Sequence, residues 1–72
     1  IYPNSMGMRY NRLKEELEEQ ELSQKWLSDQ IGVSVVTVNF WCSNKSQPSI
    51  KTLFEISKVL KITPDRLINK QV

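Results

Sequence analysis

The stretch from Gln24 to Trp41 reads QKWLSDQIGVSVVTVNFW and decides the fold. A period of 3.6 residues divides it into two short helices and a tight turn. Leu27 and Ile31 stand four apart on one face of the first, with Ser28 beside them. Gly32 ends that helix, because glycine accepts the left-handed conformation of a helix end at little steric cost. Val33 follows, and Ser34 then suits an N-cap, its hydroxyl able to accept from a free backbone N–H of the next turn. In the second helix Val38 and Trp41 are three apart and face inward. This pattern is that of a helix-turn-helix.

Placing Val38 at the centre of the buried side, at 100° per residue, puts Val35, Trp41 and Cys42 beside it. Val36, Asn39, Phe40 and Ser43 then point away, with Thr37 and Asn44 at the side. The outward face therefore carries an apolar pair, Val36 and Phe40, at i and i+4. A purely solvated helix gives no reason for such a pair, and exposed apolar groups mark interaction surfaces.

Extended outward, the residues Leu22-Ser23-Gln24, Leu27, Ile31-Gly32-Val33-Ser34, Thr37-Val38, Trp41 and Pro48-Ser49 resemble the helix-turn-helix domain of phage Cro and lambda-type repressors, the XRE-like family. In that signature Gln opens the first helix, a small residue follows four later (Ser28), and Gly comes four after that (Gly32). The resemblance covers about Arg9 to Asn69. It implies an all-α, compact five-helix lambda-repressor-like domain over residues 9–72, with the motif at helices 2 and 3. It also implies that the outward face of helix 3 enters the major groove of double-stranded DNA. There Val35, Val36, Thr37, Asn39 and Phe40 would read bases, apolar groups touching thymine methyls and Asn bonding adenine. Gln24, Ser34, Ser43, Asn44, Lys45 and Ser46 would hold phosphates, which helix starts and short polar side chains suit. Long polar readers, common on that face in the family, are missing here. Cys42 replaces a frequent acid, Asn44 a frequent Gly, and Glu21 the usual Gly before Leu-Ser-Gln.

Residues 1–8 are expected to be a disordered arm or a cloning remnant; the first five contain no Lys or Arg to reach into a groove. Helix 1 is expected from Arg9 to Gln20, with Tyr10, Leu13 and Leu17 inward and Glu15, Glu16, Glu18 and Glu19 on a solvated face. By the resemblance, Arg9 and Arg12 at its start would touch the DNA backbone. Ser23 is expected to cap helix 2, Lys25 and Asp29 to pair across its surface, and Trp26 to pack at its edge. Asn44 suits a left-handed helix end, and Pro48-Ser49 opens helix 4, about Ile50 to Lys61. Its expected core stripe is Ile50, Leu53, Phe54, Ser57 and Leu60, widened by Ile56 and Val59. Thr63-Pro64 restarts the chain as N-cap and N1 of a fifth helix to about Asn69. The family often forms a homodimer through this region.

Composition sets the outer bounds. Seventy-two residues make one small domain, burying about 60% of its unfolded surface and open to gain from dimerisation. One cysteine and no histidine exclude a disulfide scaffold and leave no credible zinc ligand set. No apolar run approaches a membrane span, no signal peptide is evident, and a cytoplasmic location follows as the simplest expectation. A net charge of +2 argues only weakly for nucleic acid. No nucleophile has a base and no Gly-rich phosphate loop exists, so neither an enzyme nor a cofactor is expected. Two functions remain: a sequence-specific DNA-binding transcriptional regulator of prokaryotic or phage type, or an antitoxin or other interaction module of the same fold whose apolar face docks a protein partner.

Overall fold

The short loops of this chain leave each helix end to be closed by its own sequence, and the caps set the architecture. The computed structural model describes residues 9–70; the expected N-terminal arm, 1–8, lies outside them. Four α-helices follow one another: α1 Leu13–Glu19, α2 Gln24–Ile31, α3 Val35–Cys42 and α4 Ile50–Leu60, and a 3-10 turn spans Pro64–Leu67. Ser23, Ser34 and Ser49 cap α2, α3 and α4, each hydroxyl accepting from the backbone N–H three residues on, at 2.9, 3.1 and 3.1 Å. Gly32 adopts φ 76° after α2, and Gly32 N and Val33 N both donate to the Ser28 carbonyl. The expected bend is thus made where glycine permits it.

The core is built from every helix. Leu13 and Leu17 of α1, Leu27 of α2, Val38, Trp41 and Cys42 of α3, Ile56 and Leu60 of α4, and Leu67 are buried together. Trp26 packs at the edge of this cluster, as expected of it. The Lys25–Asp29 pair forms at 2.8 Å on the surface.

Three expectations about individual elements are corrected. First, helix 1 begins at Leu13, not Arg9. The backbone of residues 10–12 is committed elsewhere: Arg12 N donates to Leu67 O, Asn69 N donates to Tyr10 O, and Asn11 forms an isolated antiparallel bridge with Ile68. Asn11 Oδ1 instead accepts from Leu13 N at 3.0 Å, closing the helix start. Tyr10 is consequently exposed. Glu16, expected in solvent, is 1% exposed, its Oε2 accepting from Arg12 Nη1 and Arg66 Nη2, both at 3.2 Å.

Second, the buried stripe of α4 is Ile56, Ser57 and Leu60, flanked by Leu53 and Val59; Ile50 and Phe54 are 73% and 53% exposed. Phe54 lies one residue, about 100°, round the helix from Leu53. Third, the C-terminal segment forms only the 3-10 turn where a fifth helix reaching Asn69 was expected. At Ile68 the backbone is already extended, φ −107° and ψ 129°, to meet Asn11. The turn buries Leu67 and leaves Ile68 exposed. No helix among the described residues is long and apolar enough to cross a membrane.

Three helix ends are closed by residues other than glycine in the left-handed region: Asn44 after α3, for which the conformation is common, and two for which it is not. Glu21, at φ 58°, follows the end of α1, and Lys61, at φ 61°, follows α4. Such a conformation costs a side-chain-bearing residue about 1–2 kcal/mol, part of it offset by the greater unfolded-state entropy of glycine. Both residues are exposed. Glu21→Gly and Lys61→Gly are each expected to add about 0.5 kcal/mol and to raise the melting temperature by a few degrees, read by circular dichroism.

Candidate nucleic-acid interface

The outward face of α3 is where the sequence concentrates its unusual residues. Val38 and Trp41 anchor the helix from behind, buried against the core. On the opposite side Val36 and Phe40 are 58% and 42% exposed, with Asn39 exposed between them; Val35, expected beside Val38 on the buried side, is instead 41% exposed, because it stands in the first turn of α3, beyond the reach of the core. Of the five candidate base readers, only Thr37 is half-buried, and its Oγ1 lies 2.9 Å from Ser34 Oγ. Ser34 is thereby occupied with the start of α3, accepting from Thr37 N as well.

Gln24 and Asn39 belong to different helices and meet. Asn39 Nδ2 donates to Gln24 Oε1 at 3.3 Å, so the first turn of α2 steadies a polar group in the middle of α3. These two side chains, with Arg9, Lys14, Cys42 and Ser43, line an open depression of about 300 Å³. Arg9 is already paired with Glu15 there, so Lys14 and the two carboxamides are the groups left at its rim for an anion. Ser43 Oγ donates back to Phe40 O at 3.2 Å.

The loop after α3 is organised by Asn44. It takes the left-handed conformation expected of it, φ 62°. Its Oδ1 accepts from Tyr10 N, Asn11 N and Gln47 Nε2 at 2.8, 3.0 and 3.1 Å, and its own N–H donates to Trp41 O. The N–H groups of Lys45 and Ser46 both donate to Phe40 O. The backbone donors and the Asn44 side chain are thus turned onto the protein, leaving the Lys45 ammonium and Ser46 hydroxyl for an external anion. Lys45 Nζ sits 5.6 Å from the centre of the Phe40 ring, within cation–π range.

The two arginines read as backbone contacts are half-exposed and already engaged within the protein. Arg9 Nη2 lies 3.4 Å from both Glu15 carboxylate oxygens and donates to Cys42 O at 3.3 Å. Arg12 is held by Glu16 and the Arg66 carbonyl. The residue that sequence reasoning missed is Asn11. Buried, it donates from Nδ2 to Trp41 O at 2.9 Å and to Gln47 Oε1 at 2.7 Å, tying the chain before α1 to the end of α3. An Asn two residues before Leu13 is a helix-start signal, and it competed unseen with a start at Arg9.

Cys42 packs beneath the same helix. Burial pushes its thiol up from an ordinary 9.0 to about 11, the Arg9 charge pulling weakly the other way. At pH 8 its thiolate fraction is then roughly one in a thousand. Iodoacetamide should leave the native protein unmodified at pH 8 over a time in which the urea-unfolded chain reacts fully, as mass spectrometry would show. The unfolded chain loses this proton first, so the contribution of the protonated thiol is whole below pH 9 and drains away towards pH 11.

Comparison with known proteins is consistent with this geometry. A family model described as helix-turn-helix matches residues 13–67. No curated protein matches the chain. Among solved structures, a provisionally assigned DNA-binding protein from Bacteroides fragilis is 44% identical with a TM-score of 0.83, the match covering 86% of this chain and all of that one. The c2 repressor of P22, solved with a synthetic operator, is 28% identical with a TM-score of 0.72, covering 89% of this chain and 92% of the repressor. A transcriptional regulator from Listeria innocua, 19% identical with a TM-score of 0.69, shares the fold over 88% of this chain and 64% of its own length.

Proposed function

Since this chain belongs to the helix-turn-helix family, we propose that it is a sequence-specific double-stranded DNA-binding protein, a prokaryotic or phage transcriptional regulator that lays α3 in the major groove. The observation that carries this reading is the face of α3. Val35, Val36, Asn39 and Phe40 are presented together while Val38 and Trp41 hold the helix from behind. Val35, Val36, Thr37, Asn39 and Phe40 are the base-facing set. Gln24, Ser43, Lys45 and Ser46 reach flanking phosphates, and Ser34 and Asn44 shape the two ends of α3 from which those contacts are made. The likeness to a repressor solved with its operator supports the assignment.

The same reading takes the regulator as a homodimer. Tyr10, Ile50, Phe54 and Ile68 are exposed. Leu53, Leu67 and Ile68 border an apolar groove that also includes Tyr10 and Pro48. A second copy seated there covers these groups and sets two α3 helices about one DNA turn, ~34 Å, apart. Such a protein works in the cytoplasm, where its operator is.

Selection of bound duplexes from a random pool, followed by affinity measurement over a salt series, tests the proposal. The expected result is an enriched palindrome and a log–log salt slope of about −0.9 per phosphate neutralised. A protein that docks a partner through Val36 and Phe40 instead gives no enriched duplex, and that outcome would overturn the reading.

A further inference from the structure

We propose that the base code of this protein is written mainly in C5-methyl groups: it recognises thymine through its methyl and accepts 5-methylcytosine at the same positions. The inference rests on the major-groove reading above and deepens it. Three of the five side chains in the base-facing set, Val35, Val36 and Phe40, are hydrocarbon and exposed. The two polar members are already engaged within the protein, Thr37 by Ser34 and Asn39 by Gln24. No Arg, Lys or Gln projects from α3, whose sequence is VVTVNFWC. The bidentate contacts that read guanine through O6 and N7 therefore have no donor on this helix. Of the nearby cations, Arg9 is paired with Glu15 and donates to Cys42 O, and Lys45 rests on the Phe40 ring, carried by the loop beyond the helix.

In the major groove the methyl is the one apolar group a base pair presents. A hydrocarbon face gains by covering it and gains nothing from a bare C5–H. Thymine and 5-methylcytosine carry that methyl on the same ring carbon, and they differ at position 4, where thymine has an acceptor and cytosine a donor. Val36 and Phe40 have no polar group with which to notice that difference. Asn39 could notice it, so the equivalence of the two bases is confined to positions that face Val36 or Phe40.

The test uses the full chain and its best duplex from the random selection. Each thymine is replaced in turn by deoxyuridine, which removes only the methyl. Affinity should fall about fourfold at each position facing Val36 or Phe40, the worth of one buried methyl-sized group. At those positions a 5-methylcytosine·guanine pair should bind about fourfold tighter than the unmethylated pair. Val36→Ser and Phe40→Ser, both at exposed sites and checked for native melting, should each abolish the uracil penalty at its own position. Tight binding that ignores uracil everywhere overturns this proposal and leaves the DNA-binding reading standing. A uracil penalty that persists unchanged in both variants also overturns it, because the methyl would then act through DNA shape. Failure to obtain any bound duplex overturns the underlying reading itself.

Discussion

Alanine at Glu16 is expected to lower stability by about 2–3 kcal/mol, visible as a fall in the urea midpoint at unchanged m. Two effects add. The buried carboxylate accepts from Arg12 and Arg66, and a hydrogen bond to a charged group is worth about 1.5–3 kcal/mol. Its methylenes also leave a gap under α1. The loss stays below the figure for a wholly buried pair because the two guanidinium groups are 35% and 52% exposed and recover water when the carboxylate goes. Glu19→Ala is the control. That carboxylate is 56% exposed and 3.6 Å from the same Arg66, so its removal should change stability by less than about 0.5 kcal/mol. Equal effects from the two substitutions would refute a special place for Glu16. Against a total near 5–15 kcal/mol for such domains, the Glu16 loss is large.

The second result concerns binding. Phe40→Ala should weaken the selected duplex by about 1–3 kcal/mol and relax base preference at one or two positions. Lys45→Ala should weaken all duplexes alike and flatten the salt slope by about one phosphate. The structure adds a coupling between them, since the Lys45 ammonium rests on the Phe40 ring. The double variant should therefore lose less than the sum of the single losses, as contacting pairs do. Competition titrations with selected and scrambled duplexes at two salt concentrations measure all three. If both single variants lose specificity equally, the division into a base reader and a phosphate contact is wrong.

What the sequence disclosed was whatever is local. The bend at Gly32, the three serine caps and the burial of Val38 and Trp41 all follow from neighbours within one or two turns. What it hid depends on residues far apart in the chain. Glu16 sits in an acidic run and looks solvated until Arg66, fifty positions later, is brought against it. The start of α1 looks periodic from Arg9 until Leu67, Ile68 and Asn69 claim the backbone of residues 10–12. Ile50 and Phe54 fit a helical stripe, yet the core selects the neighbouring phase through Ile56 and Leu60. On the candidate interface the outward direction of Val36, Asn39 and Phe40 was legible by angle alone. The Gln24–Asn39 bond and the inward turn of Asn44 were not, because each joins separate elements.

The pairing of Asn11 with Ile68 has a mechanical side. Backbone entering the domain and backbone leaving it are clasped at one corner, so the helices between them form a closed circuit. Opening of residues 10–12 therefore also strips residues 67–69 of their backbone partners. A tether pulling on either end loads the same clasp, and its release frees Asn11, whose side chain steadies the far end of α3 through Trp41 O.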